Sequence, residues 1–407
     1  MKQTIPELPA FPERSDDPFA PAPPYPALDP DVPVSRLTMP TGEKIWLITS
    51  YELVRQVLAD PRVSVDRMHP AYPVPLGFPK REIMQEAARR IPAFLGMDPP
   101  KHTAHRRLVI PDFTSKRVKE VRARVQEIVD DCLDDLEAAG SPADLVEYLA
   151  APVPTLVVGD VLGIPPEDRS FIASRTKTLT VRDGDEAGKR TALQEMNEYL
   201  SELVARNEKE PGPGVIGRLV EKYRAAGMYD RRTMMGSVMV ILHGGKDGPA
   251  NTIALGTVAL LQDPEQLARL KADPALFPGA VEELLRFFSS SAEGACYRVA
   301  TADIELGDVT IREGEGLLAF VSAANRDPRA FENPDVIDIG RDARGHVGFG
   351  YGVHQCLGQH LTRLQLDVAF STLFARFPDL RLAVPAEELK YKFDNSTYGI
   401  WEVPVAW

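Results

Sequence analysis

The chain has 407 residues, 44% of them apolar, enough to bury a large core. Acidic side chains outnumber basic ones by 59 to 47, a net charge of -12 that argues against a general nucleic-acid or anionic-membrane role. No stretch reaches the roughly 20 apolar residues that span a bilayer, and the first residues lack the basic-then-apolar order of a signal peptide, so a soluble, cytoplasmic, membrane-free protein is expected. Cys132, Cys296 and Cys356 are too few and too scattered for a disulfide framework or a zinc cluster.

Residues 1–33 are dense in proline, which cannot donate backbone hydrogen bonds, and read as an arm without regular structure ahead of one large domain over 34–407. Val34 to Ser64 predicts a short strand pair around Thr41-Gly42, then a helix carrying Leu53, Val54, Val57 and Leu58. A Pro- and Gly-rich loop follows. From Lys116 to Ala139 the residues Val118, Val121, Val125, Ile128, Val129, Cys132 and Leu136 recur at helical spacing, and Gly140 stands where a helix would stop. Further helices are predicted over Ala150–Leu162, Pro166–Thr178, Glu186–Asn207, Gly214–Ala226, Arg231–Leu261, Pro264–Ala272 and Ala280–Phe288. The pattern turns β-like between Ala295 and Phe320, and a last helix over Leu357–Phe377 precedes a β-rich tail. The fold class is therefore mainly α with small β-sheets, with no internal repeat and no interdomain linker.

One segment carries chemistry. His346 to Leu361 reads H-V-G-F-G-Y-G-V-H-Q-C-L-G-Q-H-L, with Gly348, Gly350, Gly352 and Gly358 around one cysteine that opens a helix. Glycines let the backbone turn tightly and approach a flat cofactor, while loop N–H groups and a helix N-terminus stabilise a sulfur anion. Leu357, Leu361, Leu364 and Val368 form an apolar stripe that would anchor the cysteine from below.

This segment resembles the signature of the cytochrome P-450 superfamily, F-G-x-G-x-H-x-C-L-G, at Phe349, Gly350, Gly352, His354, Cys356, Leu357 and Gly358. The resemblance covers essentially the whole chain and is nearest to soluble actinobacterial members. It implies a single P-450 domain in which Cys356 ligates the iron of haem b, iron protoporphyrin IX. Glu283 and Arg286, three residues apart on one helical face, and Arg341, after Phe331-Glu332-Asn333-Pro334-Asp335, would form a buried structural triad. His102 and Arg106 match H-x-x-x-R, and with Arg298 and His346 they would contact the haem propionates, for which a guanidinium fork is well suited.

The pattern breaks on the helix from Arg231 to Leu261, which the resemblance sets across the oxygen-binding face. Where the family carries A/G-G-x-E/D-T-T, this chain reads Gly244-Gly245-Lys246-Asp247-Gly248-Pro249. The acid is kept as Asp247, but the alcohol is replaced by Gly248. Pro249 removes the partner of the Gly245 carbonyl, predicting a kink or groove that could hold water. His243 shares a helical face with Asp247 and would bind substrate or carry protons. The pocket would be built from Ser64–Leu95, Thr176–Gly212, Val240–Gly248, Ser289–Ala295 and the tail near Thr397, with Val240, His243, Gly244 and Glu293 as candidate lining residues.

The implied activity is monooxygenation of a small secondary-metabolite substrate, with a substrate hydroxyl or ordered water as proton relay. Oxidative coupling without oxygen insertion is an alternative. So is reduction of nitric oxide by a nicotinamide cofactor, which needs a basic mouth for which Lys80, Arg81, Arg89 and Arg90 are candidates. A non-catalytic helper role fits least, because the cysteine is kept. Electrons would come from a ferredoxin and an NAD(P)H-dependent ferredoxin reductase, docking near Lys101, Arg107, Lys116, Arg117, Arg344 and Arg363. A monomer is expected.

Overall fold

The strand pair predicted around Thr41-Gly42 seeds the largest sheet. Val34–Thr38 and Lys44–Ile48 pair antiparallel from Val34–Ile48 to Thr38–Lys44, with Gly42 at φ 82° in the turn, where a side chain would be strained. Alternation then divides two cores. Trp46 and Ile48 join Val34, Leu317 and Ala319 on one face, whereas Ile45 and Leu47 join Leu37, Leu318 and Phe320 on the other.

In this computed structural model, residues 5–10, 28–75, 80–90, 92–180, 185–289, 295–392 and 397–407 are described. They divide into two compact units. The first comprises Met1–Arg90, Leu95–Ala104 and Glu282–Cys356; the second comprises Ile91–Phe94, His105–Val281 and Leu357–Trp407.

The first unit holds the six-stranded sheet, in the order Glu7–Leu8, Val34–Thr38, Lys44–Ile48, Gly316–Phe320, Ala295–Ala300, Val63–Ser64. The helix Tyr51–Ala59, capped by the Ser50 hydroxyl, lays Val54, Val57 and Leu58 on the core that contains Trp46. The proline arm is not wholly irregular, for Glu7–Leu8 pairs parallel with Arg36–Leu37; residues 1–4 and 11–27 of it lie outside the described residues. The span from Ser64 to Leu95, read as a loop, contains a helix at Arg81–Arg90, whose Glu, Gln, Ala and Arg are good helix formers.

The second unit is helical apart from a small sheet of Arg381–Leu382, Pro404–Ala406 and Ala143–Asp144. The long helix Arg231–Gln262 is capped by Asp230, which accepts from the Thr233 amide at 2.8 Å and its hydroxyl at 2.7 Å. It packs against Pro152–Leu162, Glu186–Lys209 and Gln359–Arg376. The single helix expected over Lys116–Ala139 is two, Ser115–Glu120 and Arg122–Ala139. They meet where the Val121 amide tightens to the Val118 carbonyl, three residues back, at 3.2 Å. Among the described residues no helix is long and apolar enough to cross a membrane. The architecture is mainly helical with small sheets, as the periodicity predicts.

Candidate active site

The cysteine loop lies within the first unit. The Val347 amide donates to the Asn325 side-chain oxygen at 2.8 Å, the Gly350 amide to the Val347 carbonyl at 2.8 Å, and the Cys356 amide to the Phe349 carbonyl at 2.8 Å. Gly350 and Gly352 take left-handed backbone at φ 69° and 74°. A Cβ on Gly352 would lie 2.3 Å from the Leu58 carbonyl, whereas one on Gly350 would meet nothing within 4 Å. One glycine therefore serves close packing, and the other leaves open space. Cys356 is partly exposed. In the second unit, Gly358 opens the helix Gln359–Arg376, and a Cβ there would also meet nothing within 4 Å.

His346 is used otherwise than the sequence suggests. Its Nδ1 accepts the Gly348 amide at 3.0 Å, and its Nε2 faces the Glu282 carboxylate at 3.2 Å. One ring nitrogen is thus bonded to the loop, and the other lies beside a carboxylate without a hydrogen bond to it. The imidazole found beside His102 is instead that of His354, with ring centroids 4.1 Å apart. His354 stood in the matched motif, but the spacing alone assigned it no role. His102 is buried on the helix Lys101–Val109, its amide bonded to the Asp98 carbonyl at 2.9 Å. The Asp98 carboxylate in turn accepts from the Ser64 hydroxyl and the Val65 amide. Arg106 follows one turn after His102 and is half-buried.

Arg298, half-buried on the strand Ala295–Ala300, gives one N–H to the Tyr297 carbonyl at 2.7 Å and has no ion pair with a described residue. Its charge is available to an external carboxylate. A partly exposed thiol, two adjacent imidazoles and this guanidinium fit an iron macrocycle with acidic side arms.

Glu283, Arg286 and Arg341 come together. Arg286 Nε and Nη2 reach the two Glu283 oxygens at 2.7 and 2.8 Å, and Arg341 Nε reaches Glu283 at 3.1 Å. Arg286 also donates to the Asn325 carbonyl at 2.8 Å. Asn325 thereby joins the triad to the cysteine loop, a role that sequence reading missed.

In the second unit the long helix runs through Pro249 without interruption. Thr252 donates its hydroxyl to the Gly248 carbonyl at 2.9 Å. Lys246 is buried, its ammonium 3.7 Å from Asp247. Burial lowers the pKa of half-buried His243, and the Lys246 cation adds to this while Asp247 opposes it. Gly245 is small for a reason, since a Cβ there would lie 2.7 Å from Val158. Val240 is half-buried and Gly244 exposed with nothing within 4 Å of a Cβ; Glu293 lies outside the described residues. In the tail, a Cβ on Gly399 would fall 2.1 Å from the Asn251 side-chain oxygen, which also accepts from Lys392 at 3.0 Å.

Of the candidate surface cations, Arg117 and Arg344 pair with Glu120 and Asp342, and Arg363 bonds Gln359. Lys101, Arg107 and Lys116 are exposed. Arg81 is bonded to Glu43 and Arg89 lies 3.7 Å from Glu86, so neither offers an uncompensated basic mouth; the Arg90 side chain lies outside the described residues.

The profile of the family described as Cytochrome P-450 matches residues 275–394. Cytochrome P-450-SOY of Streptomyces griseus is 43% identical over 398 residues, covering 98% of this chain and 95% of that protein. The 20-oxo-5-O-mycaminosyltylactone 23-monooxygenase of Streptomyces fradiae is 40% identical, covering 98% and 92%. The crystal structure of cytochrome P-450 MoxA from Nonomuraea recticatena superposes with a TM-score of 0.89 at 40% identity, covering 98% of both chains. The chain belongs to the cytochrome P-450 family and is an oxidoreductase of the haem-thiolate kind.

Proposed function

We propose that the protein is a monooxygenase that oxidises a small secondary-metabolite substrate with dioxygen, taking electrons from a ferredoxin served by an NAD(P)H-dependent reductase. The cofactor is haem b, with Cys356 as the iron ligand and His102, Arg106, Arg298 and His354 toward the propionates. Such a group, when bound, supplies reductive activation of dioxygen at an iron whose thiolate ligand favours O–O cleavage.

The observation that carries this reading is the sequence of groups on the long helix. Asp247 keeps an acid one turn beyond His243, Gly248 contributes no side chain, and Pro249 has no N–H for the Gly245 carbonyl. That carbonyl is left to accept from a water or from a hydroxyl of the substrate. Asp247 then holds the proton that this donor passes on, and His243 orients the substrate. Lys101, Arg107 and Lys116 offer exposed cations to an acidic ferredoxin.

The test is titration of the ferric protein with candidate metabolites, followed by turnover with ferredoxin, reductase and isotopically labelled dioxygen. A low-spin to high-spin shift and label in the product are expected. A product without label would move the reaction to oxidative coupling, and NADH-dependent consumption of nitric oxide without ferredoxin would replace this reading altogether.

A further inference from the structure

The helix Tyr51–Ala59 touches the cysteine loop at three points. The Tyr51 hydroxyl donates to the Gly345 carbonyl at 2.7 Å, Arg55 Nη2 donates to the Tyr351 hydroxyl at 3.0 Å, and the Leu58 carbonyl closes against Gly352. The Arg55 guanidinium lies between two phenol rings, 4.5 Å from the Tyr351 centroid and 5.3 Å from that of Tyr51. It has no ion pair with a described carboxylate, so its charge is spent on the loop. The bond to Tyr351 raises the Arg55 pKa further, which keeps the cation permanent. The same helix is fixed at its start, where the Tyr51 amide donates to Asp327 at 2.8 Å, and Asp327 is itself buried. An anchored helix thus holds the glycine loop from outside.

We propose that Tyr51 and Arg55 form a clamp that positions the cysteine loop, with Arg55 and Tyr351 acting as positioning residues for the Cys356 thiolate. This rests on Cys356 carrying the haem. Gly350 and Gly352 give the loop freedom that its own few backbone bonds do not remove, and the sulfur must keep one direction to remain a ligand. The Arg55 contact with the Tyr351 ring, the charge-assisted bond to its hydroxyl and the Tyr51 bond to Gly345 remove that freedom.

The test compares the parent holoenzyme with Tyr351→Phe, Arg55→Gln, Arg55→Lys and the double variant Tyr351→Phe with Arg55→Gln. Amide exchange is measured along the chain, together with the reduction potential and the fraction of the ferrous carbon monoxide adduct that keeps thiolate ligation. Exchange of the Gly350 and Cys356 amides is expected to rise about tenfold in each single variant, the factor that matches one charge-assisted bond. The double variant should be no worse than either single one, and Arg55→Lys should not rescue, because an ammonium lacks the planar fork. The thiolate fraction should fall with the exchange protection. Unchanged loop exchange in both single variants, additive effects, or equal acceleration throughout the chain would overturn the clamp. A parent lacking the thiolate signature would instead refute Cys356 as ligand, and the exchange rates would still decide the clamp.

Discussion

Arg286 and Glu283 face one another through two near-parallel bonds of 2.7 and 2.8 Å, with neither side chain exposed to solvent. Such a pair is held by geometry rather than by net attraction, since burial of two charges offsets most of their Coulomb gain. Removing one partner is another matter. Glu283→Gln should destabilise the protein by about 3–5 kcal/mol, because it leaves Arg286 charged and uncompensated in the core. Chemical denaturation measures this, and a loss below about 1 kcal/mol would contradict the geometry.

Asn325 links that pair to the loop. Asn325→Ala deprives the buried Val347 amide of its acceptor and should cost about 1–3 kcal/mol. Haem retention during gel filtration should fall in parallel. Loss of stability with full haem retention would show that the Asn325 bond does not govern the loop.

His243 gives a pH dependence with a defined sign. Its folded pKa lies below its ordinary 6.5 because of burial, so as pH falls through 6.5 the unfolded chain takes up a proton that the folded one does not. Stability from this group is constant above 6.5 and declines below it. The slope of unfolding free energy against pH under mildly acidic conditions should flatten in His243→Gln. An unchanged slope would mean that His243 is protonated in the folded protein.

Cys132 is buried, and its thiol is pushed up to about 12 by that burial, with Asp135 and Asp131 adding to the effect. In native protein it should resist alkylation by iodoacetamide at mildly alkaline pH and react fully once unfolded. Mass spectrometry of the modified peptide reads this directly. Rapid native modification would place the residue in contact with solvent.

Gly248→Thr restores the alcohol that the family carries. Because the proposed proton route runs through the Gly245 carbonyl and Asp247, product formed per NAD(P)H consumed should stay unchanged or fall in this variant. A severalfold rise would move the proton path to the family's usual alcohol.

Sequence patterns revealed different parts of this molecule with different clarity. Helices of the second unit were legible because Val125, Ile128, Val129, Cys132 and Leu136 repeat with helical period and all become buried. The Arg81–Arg90 helix was hidden because its apolar positions are few and Ile83 remains exposed. Cys356 stood out through its glycines. His346 did not declare its partner, since Glu282 is 64 residues away in sequence and only folding brings the carboxylate to its ring. Asn325 was silent for the same reason, as its bonds with Arg286, Ser289 and Val347 are tertiary.

The fit of Gly399 against Asn251 carries an evolutionary constraint. With a hypothetical Cβ 2.1 Å from the Asn251 oxygen, residue 399 cannot grow unless residue 251 shrinks or turns. A larger residue at position 399 is therefore tolerated only where Asn251 gives up its place beside Lys392 or is itself replaced by something smaller.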